Sequence, residues 1–345
     1  MYTAELFFNY DNKNHNFVYN NINVYEVSNL ECINIRKAAI VGCGFVGSAS
    51  AFALMESGLF SEMVLIDADK HRAEGEALDI AHGLPFAKPM QIYAGSYDDI
   101  TDSAIVIITA GAGQKPGETR LDLVKKNVEI YKKIIPEIAK RQFDGIILVV
   151  SNPVDILTYA AVKLSGLPGH RVFGSGTVLD SARLKYELGE HLGVDSRSVH
   201  AFILGEHGDS EIAAWSSANV SGVPLNRFCE MRGYFDHTQN MKEIADNVKN
   251  SAYEIINKKR ATYYGIAMSV RRICEAVVLD QKSILPVSSI QHGNFGIENI
   301  SLSMPAIVGR FGIEGQVPIS LSSEETAALK DSATRLQDII STVEL

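Results

Sequence analysis

Along most of the chain, short apolar runs alternate with stretches in which apolar residues recur every three or four positions. The runs at 38–41, 63–66, 105–108 and 146–150 are too short for full helices and are rich in Ile and Val. Runs of this kind predict strands buried on both faces, as in a parallel sheet covered by helices. Between the last two, Leu121, Val124, Val128, Tyr131, Ile135 and Ile138 place one apolar face on a helix, which Pro136 should kink or divide. The alternation predicts an α/β fold, a Rossmann-type doubly wound parallel sheet.

After about residue 175 the pattern is more mixed and predicts an α+β domain. Helical stretches fall near 180–192, 241–259 and 266–278, with turn-rich, strand-like runs at 199–204 and 288–300. A capped terminal helix is expected over 322–342, because it opens Ser-Ser-Glu-Glu. Gly174, Ser175 and Gly176 mark the boundary, giving a 36–175 nucleotide-binding domain and a 176–345 substrate domain. Residues 1–35 differ from both: they hold nine asparagines and one lysine, Lys13. That composition fits neither a secretory signal nor a transit peptide, and predicts a poorly ordered extension or a short docked strand or helix.

Composition narrows the classes of function. The 345 residues are 46% hydrophobic and 21% charged, as in a folded globular protein, and the net charge is −9. A balance this acidic disfavours nucleic acid and anionic membrane as partners, although a small anion can still be held locally. The four cysteines, Cys32, Cys43, Cys229 and Cys274, form no CxxC pair, so no zinc site or disulfide framework is expected and a reducing cytoplasm is the simplest setting. No histidine and carboxylate cluster at metal-ligand spacing is visible.

Chemistry enters at the end of the first buried strand. Gly42, Gly44 and Gly47 form a GxGxxG followed by a small-residue helix. In that pattern the first glycine permits a tight turn, the second lets backbone approach a pyrophosphate, and the third allows close helix-to-sheet packing. A second strand ends at Asp67, twenty residues beyond Gly47. A carboxylate there accepts hydrogen bonds from a ribose diol and repels a 2′-phosphate, favouring NAD over NADP. The alternatives are a structural glycine turn and an Asp67 that serves as a turn or cap residue.

Four further segments, 110–120 (AGAGQKPGETR), 151–155 (SNPVD), 179–183 (LDSAR) and 205–209 (GEHGD), supported by 261–265 (ATYYG), occur in order. With them the chain after about residue 36 resembles the bacterial L-lactate dehydrogenases of the lactate and malate dehydrogenase family. The resemblance implies reversible hydride transfer between lactate or pyruvate and NAD, the last step of lactate fermentation. It makes His207 the proton acceptor and donor, a task suited to a group titrating near neutral pH. Asp180 would fix its tautomer. Arg183, three residues on along the same helix face, would bind the substrate carboxylate through its planar fork. Arg120, at the end of a glycine-rich loop, would close onto the substrate oxygen. Asn152 would bond that oxygen near the nicotinamide, and the cofactor surface would extend to Val46, Gly111, Ala112 and Val150. Without the motifs, a structural histidine, a surface Asp and Arg pair supporting a helix and an exposed loop arginine would be the better readings of these residues.

Substrate choice is expected to turn on Gln114, where malate dehydrogenases carry arginine, and on Thr262, the small residue of the pocket. A neutral Gln114 leaves the second carboxylate of oxaloacetate without an ionic partner. The resemblance also implies an L-specific homotetramer. It raises activation by fructose 1,6-bisphosphate at Lys185 and His200, although His200 reads equally as a buried strand histidine. Competing readings are a malate or other 2-hydroxy-acid dehydrogenase and a non-catalytic NAD-binding structural protein.

Overall fold

The computed structural model describes residues 33–113, 117–235 and 237–345, together with the backbone of 7–11 and 16–20. Strands β1 (Phe7–Asp11) and β2 (Asn16–Asn20) pair antiparallel within the expected extension. The body begins at Asn34. It runs β3 (Asn34–Val41), α1 (Phe45–Ser57), β4 (Glu62–Ile66), α2 (Lys70–His82), β5 (Gln91–Ala94), β6 (Ser103–Ile108), α3 (Arg120–Ala139), β7 (Ile146–Val149), α4 (Val154–Ser165) and β8 (Val172–Gly174). The six strands lie parallel in the order β5-β4-β3-β6-β7-β8. The order reverses between β3 and β6, so a crevice opens at their carboxyl ends, where such sheets bind ligands.

Alternation along each strand divides the core between the two faces. Ala38 and Ile40 point into one cluster with Leu54 of α1 and Ala77 of α2. Ala39 and Val41 point into another with Val128 and Ile135 of α3 and Leu157 of α4. Removing such apolar surface from water contributes roughly 25 cal/mol per Å², and every one of these side chains is buried. The apolar stripe of α3 runs through Pro136, which does not divide the helix. Proline there sits in the last turn, and Ile134, Ile135 and Ile138 around it are buried against the sheet, which holds the helix together.

The second half runs α5 (Val178–Leu192), β9 (Val199–His200), β10 (Ile203–Leu204), β11 (Ile212–Ala213), β12 (Asn219–Val220), β13 (Val223–Pro224), α6 (Leu225–Met231), α7 (His237–Lys259), α8 (Tyr264–Val278), β14 (Ser283–His292), β15 (Glu298–Gly309), β16 (Gly312–Gln316) and α9 (Ser323–Ser341). The expected strand at 199–204 is two short strands in different sheets. The run at 288–300 is a corner between β14 and β15, turned at Gly293 and Gly296 with positive φ. β14 joins β8 antiparallel at Ser288 and Gly174, so β14, β15 and β16 extend the parallel sheet to nine strands. α9 starts with the expected capping box, Ser322 and Glu325 exchanging bonds with each other's backbone. Among the described residues no helix is long and apolar enough to cross a membrane.

Candidate active site

The glycine turn lies in the crevice between β3 and β6. Gly42 has φ +102°, and a Cβ there would stand 2.5 Å from the Ala110 nitrogen. A Cβ on Gly47 would meet the Gly42 carbonyl oxygen at 1.9 Å, so only glycine lets α1 approach the turn this closely. Gly44 differs: a Cβ there would meet nothing within 4 Å among the described residues, and the residue is exposed at the N-terminus of α1. No side chain caps that end and no acidic residue occupies its first turn. The amides of α1 and its positive dipole end are therefore free for an anion such as a pyrophosphate.

Asp67, at the end of β4, accepts a hydrogen bond from the Cys43 amide at 2.6 Å and another from the Asp69 amide at 2.9 Å. It thus holds its own turn and ties the glycine loop to β4. Asp67 is only partly buried, and a carboxylate has more accepting capacity than these two bonds use, enough for a ribose diol. Val46 packs half-buried against the core behind the turn. Gly111 and Ala112 follow β6, and Val150 and Asn152 follow β7. A buried residue to which the motifs assign nothing joins these two loops: the Asn127 Oδ1 accepts from the Ala112 amide at 2.7 Å, and its Nδ2 donates to the Asn152 carbonyl at 2.7 Å. Its signal in the sequence is a lone amide on the apolar stripe of α3, three residues from Val124 and four from Tyr131.

His207 is held in the connection between β10 and β11. Gly205 and Gly208 adopt φ of +85° and +156° on either side of it, and Gly205 exchanges backbone bonds with Ser303 of β15. The ring's Nδ1 lies 2.6 Å from Asp180 Oδ2, while Asp180 Oδ1 accepts from Arg183 Nη1 at 2.8 Å. Both partners come from one face of α5. Burial works against a charge on Asp180, but His207 and Arg183 outweigh it and hold the carboxyl below its ordinary value. Burial likewise penalises the imidazolium, yet Asp180, with Asp155 and Glu211 behind it, raises His207 to about 9.

Asp155 lies in the same segment as Asn152, and the sequence assigns it no task. It is 2% exposed, accepts from the His207 amide at 2.7 Å and from Ser288 Oγ at 2.6 Å, and so fixes the backbone that carries the ring. Burial foremost raises it to about 6. Its signal is a carboxylate inside the otherwise apolar start of α4.

Arg120 follows the glycine-rich segment and opens α3, which Thr119 caps through a box with Asp122. Its guanidinium donates to Glu206 at 2.6 Å and to Asp209 at 2.9 Å, the carboxylates flanking His207, and Tyr253 of α7 also donates to Asp209. Gln114 lies outside the described residues. Thr262 lies half-buried in the turn between α7 and α8. Lys185, on α5, packs over the Phe202 ring at 5.8 Å, and burial with the nearby Arg272 charge lowers its pKa. His200, on β9, is exposed rather than buried, because β9 is an edge strand of its small sheet.

The fold does assemble a group that spacing did not reveal: Asp180, His207 and Glu211 place one ligand-type atom each within 4.8 Å of the others. Arg183 already neutralises Asp180, and the short His207 bond occupies the same carboxylate, so a cation there would compete with both.

The arrangement can hold a dinucleotide along one crevice and exchange a proton at an anion-binding pocket beside it. Comparison with known proteins gives the family. The lactate/malate dehydrogenase NAD-binding domain matches residues 36–174, and the family's alpha/beta C-terminal domain matches 177–344. The L-lactate dehydrogenase of Acetivibrio thermocellus is 53% identical over 311 residues, 90% of this chain and 98% of its own length. That of Thermoanaerobacterium saccharolyticum is 50% identical over 311 residues, 90% of this chain and all of its own. The minor L-lactate dehydrogenase of Enterococcus mundtii, solved with ligands bound, superposes with a TM-score of 0.86 at 46% identity, covering 90% of this chain and 99% of that one. With the glycine turn, Asp67 and the His207 dyad in place, the chain belongs to the lactate/malate dehydrogenase family and carries that family's NAD-binding domain.

Proposed function

We propose that the protein is an NAD-dependent L-lactate dehydrogenase interconverting pyruvate and lactate. The observation that carries the reading is the Asp180–His207 pair at 2.6 Å with Arg183 on the same carboxylate. NAD, held at Gly44, the amides of α1 and Asp67, supplies hydride acceptance or donation when bound. The chain supplies everything else. With Nδ1 engaged by Asp180, His207 exchanges the substrate proton through Nε2: the imidazolium gives it to the ketone oxygen in reduction, and the neutral ring takes it from the hydroxyl in oxidation. Arg183 clamps the substrate carboxylate with two parallel bonds. Arg120 leaves Glu206 and Asp209 to polarise the reacting oxygen, and Asn152, positioned through Asn127, completes the oxygen's contacts.

Pyruvate is favoured over oxaloacetate by the neutral Gln114 and by Thr262. Steady-state turnover with each substrate and NADH tests this: pyruvate should be reduced with the higher kcat/KM, and faster turnover of oxaloacetate would transfer the reading to malate.

The proposal includes activation by fructose 1,6-bisphosphate at Lys185 and His200. A half-buried lysine whose proton is loosened by burial and by Arg272 gains from a phosphate dianion, and His200 is exposed to receive one. Adding the bisphosphate should lower KM for pyruvate; an unchanged KM removes this part. A homotetramer is also part of the reading. Large exposed side chains on α1 and α8, among them Phe45 at 72%, Phe52 at 56% and Tyr264 at 69%, support burial against further subunits.

A further inference from the structure

We infer that Glu211 is a positioning residue of the proton-exchange dyad, a second carboxylate whose ionisation holds the proton on His207 as the pH rises. The inference deepens the function proposed above and rests on it for its consequence in turnover.

Every other carboxylate of the site is engaged. Asp180 holds His207 and Arg183, and Asp155 holds Ser288 and the His207 amide. Glu206 accepts from Arg120 and Ser210, and Asp209 from Arg120 and Tyr253. Glu211 stands apart: its Oε1 is buried and has no hydrogen-bond partner among the described residues. A buried carboxylate oxygen is normally hydrogen-bonded, so an orphaned one on a residue beside a reactive dyad calls for an explanation. The fold holds it at the end of the loop pinned by Gly205 and just before β11, within 4.8 Å of the ligand-type atoms of Asp180 and His207.

The charges that face Glu211 are Asp180 and Arg183 from α5, His207 in its own loop and Lys249 from α7, with Asp155 of α4 bearing on His207. Burial first and the Asp180 charge second push Glu211 up to about 8, against the pull of His207, Arg183 and Lys249. Near neutrality Glu211 is therefore a neutral acid. The sign of its effect follows from its ionisation. As the pH climbs, Glu211 acquires a negative charge near the imidazolium, which raises the proton affinity of His207. The groups titrate together, and the apparent values belong to the cluster. The imidazolium needed to reduce pyruvate consequently persists to higher pH than Asp180 and Asp155 alone would allow.

Replacement of Glu211 by glutamine keeps the shape and removes the ionisable charge. Two readouts apply to the full chain: NMR titration of the His207 ring without cofactor, and kcat/KM for pyruvate with NADH against pH. In Glu211→Gln the His207 titration and the alkaline limb should both move down by about one pH unit, the scale set by one charge at this distance through a screened interior. Glu211→Asp, which keeps a charge, should recover part of that shift. A native-like Gln variant with His207 unmoved, or moved upward, overturns the inference. So does a Glu211 carboxyl that titrates in the ordinary glutamate range in the unaltered chain, a measurement needing no variant to fold. If the ring shifts as expected but pyruvate is not reduced, the proposed function fails and the coupling stands; if pyruvate is reduced while the ring stays unmoved, the coupling fails and the function stands.

Discussion

The two oxygens of Asp180 face different partners, and their removal separates two effects. In Asp180→Asn the charge that raises His207 is lost while burial remains, so the ring's proton affinity should fall below its present value of about 9. The folded-state pKa of His207 is raised, so the stability it contributes is full below its unfolded value near 6.5 and is lost as the pH rises through about 9. The Asn variant should lose that contribution most fully at about pH 6.5 and progressively less as the pH rises toward about 9, and its kcat should fall by roughly 10²- to 10⁴-fold, the usual weight of positioned acid and base catalysis. Thermal unfolding and pyruvate turnover across pH measure both; a kcat within tenfold of wild type would sink the assignment. Arg183→Lys keeps the charge but not the fork, so KM for pyruvate should rise on the order of tenfold or more. At this scale the sequence is uneven. His207, Asp180 and Arg183 are legible because the motifs are local or span one helical turn. Asp155 is not, because its partners His207 and Ser288 lie 52 and 133 residues away and only the fold brings them together.

Glycines make the elements testable, since the two in the nucleotide turn are constrained differently. Gly47→Ala drives a methyl into the Gly42 carbonyl and should destabilise the domain as well as abolish NADH binding. Gly44→Ala meets open space at an allowed φ of −77°, so the fold should keep its melting temperature while NADH affinity falls. Fluorescence titration of NADH beside a thermal melt distinguishes them, and tight NADH binding by the Gly44 variant would exclude this end of α1 as the pyrophosphate site. The cap of α3 offers a parallel case: Thr119→Ala removes the capping box and should cost about 1 kcal/mol of stability. Because Arg120 is the next residue, kcat should fall as well. Elements are legible where burial is two-sided, as in β3, β6 and β7, whose apolar runs are unbroken. The edge strand β5 escapes notice because it is four residues long, and its three apolar residues, Ile92, Tyr93 and Ala94, make a run too short to read. The run at 288–300 reads as turn-rich and strand-like together, and only pairing separates the two: strand up to His292, the corner at Gly293 and Gly296, and strand again from Glu298.

Two family segments meet at residues 174–177, but the physical division is weaker than the division in sequence. β14 pairs with β8 across that junction, and a single sheet runs from β5 to β16. The clusters on its two faces are shared as well: Ala38, Ile40 and Ile105 pack in the same core as Val270, Ile273, Val287 and Val308, and α9 covers the opposite face with α3 and α4. Separating the halves would expose an apolar sheet edge and leave both clusters half-covered, a loss that neither half could offset alone. The protein should therefore unfold in urea as one cooperative unit. Trp215, the single tryptophan, makes a stringent probe because it packs against the third cluster, formed by α5, α6 and α7 away from the sheet. Its fluorescence and the far-UV circular dichroism should share a midpoint, and bound NADH should move both upward together, since ligand binding to the native state alone stabilises whatever unfolds with the site. Two separated transitions, with NADH shifting only one of them, would mean that the continuous sheet does not couple the cofactor crevice to the half that carries His207.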